Sequence, residues 1–208
     1  MMITINKLLV LMFSIFSVTL LTYTFFIPKE SQIYRLINYY DFALCLYFLY
    51  DFLKQLISEE KKWRYLYTVG WLDLISSIPV VAEFRILRFV RVVRVIKIIR
   101  SIRSLINFIS QNKKQSLFGF IVFLVVVLIV VTSTAVLYFE KDIGNIKTAE
   151  DALWWTFITI TTVGYGDFYP VTGLGKLSAS VLIATGIGFF GAIISFVTDK
   201  VNNIKANN

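Results

Sequence analysis

Thr161-Thr162-Val163-Gly164-Tyr165-Gly166-Asp167 is the stretch whose reading decides the fold. Two glycines alternate with larger residues, and glycine accepts backbone conformations closed to other residues. Successive carbonyls can therefore face one way, and a file of carbonyl oxygens can stand in for the water shell of a small monovalent cation. A Gly-Tyr-Gly turn in an ordinary loop is the plain alternative. Its surroundings argue against that. Thr162 to Asp167 follow a short apolar segment, Asp151 to Thr161, and lie between two runs of membrane length.

The rest of the chain suits a bilayer. Of 208 residues, 57% are apolar and 16% charged, the latter well below the quarter usual in soluble domains. Spans are expected at Leu8–Ile27 (closed by Pro28), Leu36–Ile57, Tyr65–Ala82, Phe84–Ile102, Leu117–Phe139 and Leu174–Thr198, each near the twenty residues that cross the hydrocarbon layer. The first is long for a signal peptide, and Tyr23-Thr24-Phe25-Phe26 is a poor cleavage site. The expected fold is an all-α integral membrane protein with six transmembrane helices: a four-helix bundle, then a two-helix module with a re-entrant helix and loop. Residues 1–102 are expected to form the four-helix bundle, 103–115 a linker and 116–208 the two-helix module.

Net charge is +8, which ordinarily suggests nucleic acid. Six of those positive charges, however, fall at fixed spacing in one apolar segment, so no nucleic-acid partner is expected. With a lone Cys45 and no histidine, there is no intrachain disulfide, no metal-ligand cluster and no histidine base. Neither an enzyme nor a cofactor is expected.

Arg85, Arg88, Arg91, Arg94, Lys97 and Arg100 recur every third residue, and Arg103 extends the series. On an α-helix such charges wind as a slow spiral, each about 4.5 Å and about 60° on from the last. An interfacial helix or a polybasic lipid patch would pair such charge with a polar face. Here the remaining sites are almost all apolar. Charges in a membrane need counter-charges or water, and Asp51 and Asp73 both fall about 10 Å from the inner ends of their spans. Asp41 lies ten residues before Asp51, and Phe48 three before it. The pattern reads as a sliding charge ladder, although each aspartate alone could be a static partner.

Outside the fourth segment, ten Lys and Arg fall on the side of the termini and five on the other. The positive-inside rule then puts both termini in the cytoplasm and the glycine loop outside. The helix Asp151–Thr161 is too short to span and must be enclosed by protein or line water. Its C-terminal end, partly negative, faces the glycine loop and favours a cation. Trp154 and Trp155 read equally as interfacial anchors or as packing behind that loop.

On these residues the chain resembles the six-span voltage-gated potassium channels. The filter Thr162 to Asp167, the pair Trp154-Trp155, the triplet series Arg85 to Arg100, and Asp41, Phe48, Asp51 and Asp73 all match Shaker-type members, over nearly the whole chain. Potassium selection by such a file belongs to the motif in general, not to its spacing here. The resemblance implies a homotetramer in the plasma membrane, with K⁺ at the carbonyls of Thr162, Val163, Gly164 and Tyr165 and at the Thr162 side chain. It implies a charge-transfer centre at Phe48, Asp51 and Asp73, with Asp41 as the outer acid. It places a gating hinge at Gly186, with close helix packing as the alternative, and Gly188 and Gly191 as further bending points. The family's Pro-Val-Pro kink is replaced by Ile193 and Ser195, so the inner gate is not located. Asp73 to Pro79 also resembles hyperpolarisation-activated relatives, which leaves the direction of gating open. No cytoplasmic domain is expected on either side, as in a minimal prokaryotic member. The rival readings are a hyperpolarisation-activated or weakly voltage-dependent channel, a non-conducting regulatory subunit and, with no catalytic cluster to support it, a membrane enzyme.

Overall fold

The computed structural model describes residues 5–58, 67, 70–71, 74 and 113–206. Among them every element is helical: α1 (Ile5–Tyr23), a 3-10 turn (Thr24–Phe26), α2 (Gln32–Ser58), α3 (Lys113–Glu140), α4 (Ala149–Ile160) and α5 (Gly173–Ala206). Asp73, the third span but for a few residues, and the whole series Arg85 to Arg100 lie outside the described residues, as do 103–112 of the expected linker.

Local chemistry sets the element ends. Ile27 is extended (φ −109°, ψ 134°), because the Pro28 ring disfavours a helical residue before it. The first helix therefore stops at Tyr23, short of the expected Ile27. α2 starts at Gln32 rather than Leu36 because Ser31 caps it. The Ile33 amide donates to Ser31 Oγ at 3.2 Å and the Arg35 amide to the Ser31 carbonyl at 3.2 Å. α3 begins at Lys113, inside the stretch expected as linker.

Hydroxyls along the apolar helices bond back to their own backbone. Ser14 donates to the Val10 carbonyl at 2.6 Å, and Thr132 to that of Leu128 at 2.7 Å. In lipid this removes the cost of an unpartnered hydroxyl. Leu117–Glu140 and Gly173–Asp199 are long and apolar enough to cross a membrane. The six-span count goes beyond these two.

The chain divides into two compact units, Met1–Pro28 with Ile37–Gly119, and Lys29–Leu36 with Phe120–Asn208. In the first, the Phe13 and Tyr47 rings meet edge to face at 5.3 Å. The second holds the glycine loop between α4 and α5.

Candidate functional site

α4 is aimed by a capping box. Thr148 Oγ1 accepts from the Asp151 amide, and the Asp151 carboxylate accepts from the Thr148 amide at 2.9 Å. The Thr148-x-x-Asp151 pattern moves the start of α4 to Ala149, two residues before the expected Asp151. Ala152, Trp155 and Ile158 form its buried face.

At the other end the chain leaves the helix in an unusual way. The amides of Val163 and Gly164 both donate to the Ile158 carbonyl, at 2.9 and 3.1 Å. Thr162, Gly164 and Gly166 have positive φ, at 60°, 58° and 82°. Left-handed residues thus recur at every second position. For a β-branched threonine this is an outlier, costing about 1–3 kcal/mol, and such strain gathers at functional sites. Tyr165 is 70% exposed within the single chain and Val163 53%.

Side chains brace this loop from outside. Trp154 Nε1 donates to Asp167 Oδ2 at 2.7 Å, and its ring stacks on Tyr165 with centroids 5.9 Å apart and planes 8° from parallel. Trp155 is buried and, with Ile158 and Ile183, lines a concavity of about 390 Å³ against Thr162, Gly164 and Gly166. Asn145 holds the exit of the loop by both ends of its amide. Nδ2 donates to the Asp167 carbonyl at 2.9 Å, and Oδ1 accepts from the Tyr169 amide at 3.3 Å. Only one orientation of the amide satisfies both bonds.

Glu140 went unrecognised in the sequence, where it opens a charged loop. It is fully buried. Its carboxylate accepts from the amides of Val171 and Thr172, both at 2.9 Å, and from the Thr172 hydroxyl at 2.5 Å. Thr172 in turn caps α5, its Oγ1 accepting from the Gly175 amide at 3.0 Å. A Cβ at Gly144 or Gly175 would run into the Glu140 carboxylate. One acid therefore ties the end of α3 to the start of α5, just beyond the loop. The only hint in the sequence is a lone acid closing an apolar run, with glycine four residues on.

Gly186 packs closely: a Cβ there would lie 2.5 Å from the Ile160 carbonyl. α5 continues as helix through Gly186, Gly188 and Gly191.

In the other unit, Asp41 and Asp51 are both buried on α2, as is Phe48. Asp41 Oδ1 accepts from Ser17 of α1 at 2.8 Å, and Asp51 Oδ2 from Gln55 at 2.6 Å. Ser17 was not singled out in the sequence. The cations expected to meet these acids, Arg85 to Arg100, and the third acid expected beside them, Asp73, fall outside the described residues.

A family model described as an ion transport protein matches residues 4–208. The chain belongs to that family. An ion transport protein is not an enzyme, in line with the sequence reading. Among curated relatives, a voltage-gated potassium channel of Aeropyrum pernix is 41% identical over 61 residues, covering 29% of this chain and 21% of the relative. A calcium-gated potassium channel of Thermoplasma volcanium is 34% identical over 86 residues, 41% of this chain and 25% of the relative. The human potassium voltage-gated channel subfamily A member 6 is 37% identical over 71 residues, 33% and 13% respectively. The matches span a quarter or less of each relative. They agree with the resemblance to voltage-gated potassium channels read from the filter and the charge series.

Proposed function

We propose that this ion transport protein is the subunit of a voltage-gated potassium channel, in which four copies surround one passive pore in the plasma membrane. The observation that carries the reading is the alternation of left-handed residues at Thr162, Gly164 and Gly166. Alternate handedness turns successive peptide planes so that their carbonyls line one side. The carbonyls of Thr162, Val163, Gly164 and Tyr165, with the Thr162 hydroxyl, then replace the hydration shell of K⁺. The exposure of this loop in one chain suits an axis completed by other copies. The family match and the potassium channels among the relatives point the same way.

Six spans, cytoplasmic termini and gating by the Arg85 to Arg100 helix complete the proposal. Asp51 and Phe48, with Asp73, supply the counter-charge and the aromatic plug past which the cations slide. Buried Asp51 and Phe48 on one helix favour this. Each charge moved across the potential is worth about 2.3 kcal/mol per 100 mV, so three or four effective charges per subunit suffice to drive a gate. Hyperpolarisation-driven opening is the second reading, favoured by Asp73 to Pro79.

Flux into liposomes loaded with K⁺ or Na⁺ tests conduction. K⁺ flux without Na⁺ flux is expected, and equal fluxes or none would overturn the reading. Changing both Arg91 and Arg94 to Gln should reduce the steepness of the conductance–voltage curve by about a third to a half, with selectivity unchanged. Unaltered steepness would remove the ladder from the account. The brace at the filter makes a third prediction. Trp154→Phe keeps a ring over Tyr165 but loses the bond to Asp167, worth about 1.5–3 kcal/mol with a charged acceptor. Steady-state K⁺ current should fall roughly tenfold or more at equal protein in the membrane, as current recordings against surface labelling would reveal.

A further inference from the structure

A helix leaves its first amides without partners of its own, and at α4 acceptors are identifiable for those of Ala149, Asp151 and Ala152. The Asp151 amide goes to Thr148 Oγ1, and that of Ala152 to the Thr148 carbonyl. Ala149, fully buried, sends its amide elsewhere. It donates at 3.2 Å to Oε1 of Gln32, 117 residues earlier and the first residue of α2. One turn further along α2, Arg35 Nη2 lies 2.7 Å from Glu150 Oε1, the two side chains being 56% and 47% exposed. Residues Lys29–Leu36 group with the unit that contains α4 and the filter, although α2 continues beyond them.

We infer that the first turn of α2 straps the N-terminal end of α4 within the same chain, and that Gln32 and Arg35 are positioning residues for the filter. The inference rests on the proposed channel function. Its physical basis is the length and end connections of α4. Twelve residues make a rod of about 18 Å, whose far end hands directly into the filter through the two amides on the Ile158 carbonyl. A rod held at one end by its capping box alone can tilt, and a tilt displaces that carbonyl. Two contacts, one turn apart on α2 and on neighbouring residues of α4, oppose the tilt.

The two contacts differ in kind. Gln32 supplies an acceptor to a buried amide, which no apolar side chain of similar shape can do. Arg35 and Glu150 form a half-exposed pair, weak by itself. It sets the direction of approach, while the Glu150 carboxylate also suits the positive end of the α4 dipole.

The experiment uses the full chain in planar bilayers and follows the decay of K⁺ current at a constant activating voltage. Gln32→Leu should speed the decay about tenfold without changing the steepness of voltage dependence, and raised external K⁺ should slow it again. Gln32→Glu, which keeps the acceptor, should decay within twofold of the parent. Arg35→Glu should speed decay severalfold, and Arg35→Glu with Glu150→Arg should restore it. Unchanged decay in Gln32→Leu, or a charge swap no better than Arg35→Glu alone, would overturn the inference.

If Gln32→Leu does not assemble, the Arg35 series decides. If no variant conducts, including the parent, the channel reading fails and cross-linking decides the strap. In a Cys45→Ser background, Arg35→Cys and Glu150→Cys on one chain are joined with a short bis-maleimide. A link within one chain supports the strap. A link only between chains carrying one cysteine each, or no link, overturns it.

Discussion

Glu140→Ala is expected to leave a protein that inserts in the membrane but neither holds its assembly nor conducts. The substitution strands the amides of Val171 and Thr172 and the Thr172 hydroxyl, all of which donate to the one buried carboxylate. A stranded donor costs about 1–3 kcal/mol. Val171 is exposed and Thr172 half-buried, so water replaces part of what is lost, and the total is about 2–4 kcal/mol per subunit, below the roughly 3–9 kcal/mol of three dry donors. The loss falls where α3, the filter exit and the capped start of α5 converge. Melting in detergent should drop by roughly 5–15 °C, with K⁺ current abolished. Glu140→Gln keeps the shape but turns an NH₂ toward a donor, so it should fall between the parent and Glu140→Ala. A melting point and current unchanged in Glu140→Ala would mean that the carboxylate does not hold the two helices.

Gly164→Ala should abolish K⁺ conduction while leaving the fold intact. No heavy atom stands within 4 Å of a Cβ built there, so the obstacle is conformational and not a clash within the chain. With φ at 58°, an L-residue pays about 1–2 kcal/mol. Thr162 already bears that strain at φ 60°, and a second strained residue two positions on adds to it. Around a fourfold axis the addition is about 4–8 kcal/mol, enough to turn the carbonyls away from their common side. Single-channel recording beside a thermal melt separates the two effects. A normal melt with no current is expected, and normal current would contradict the filter geometry.

Features written in local patterns were legible in the sequence. The apolar runs mark α3 and α5, and alternate glycines mark the loop between them. Trp154-Trp155 offers anchoring and bracing equally from the sequence, and the bond to Asp167 and the stack on Tyr165 supply geometry that the sequence does not. Caps were legible in principle: Ser31 and Thr148-x-x-Asp151 are ordinary N-terminal signals, and attention to them moves α2 and α4 to their observed starts.

Other features depend on contacts far apart in the chain. Glu140 meets Val171 and Thr172 across more than thirty residues, and nothing near it in sequence separates a buried clasp from a solvated charge. Asn145 likewise shows no local sign of its bridge to Asp167 and Tyr169. The left-handed Thr162 runs against its β-branched type and is visible only in the backbone. Gly186 offered two readings, hinge or close packing, and its approach to the Ile160 carbonyl gives physical content to the second.

The most direct test of the central claim is the reversal potential of purified protein in a planar bilayer under opposed K⁺ and Na⁺ gradients. The account predicts a reversal potential that follows the K⁺ gradient and ignores Na⁺. A reversal potential that follows Na⁺, or lies midway between the two, would contradict it.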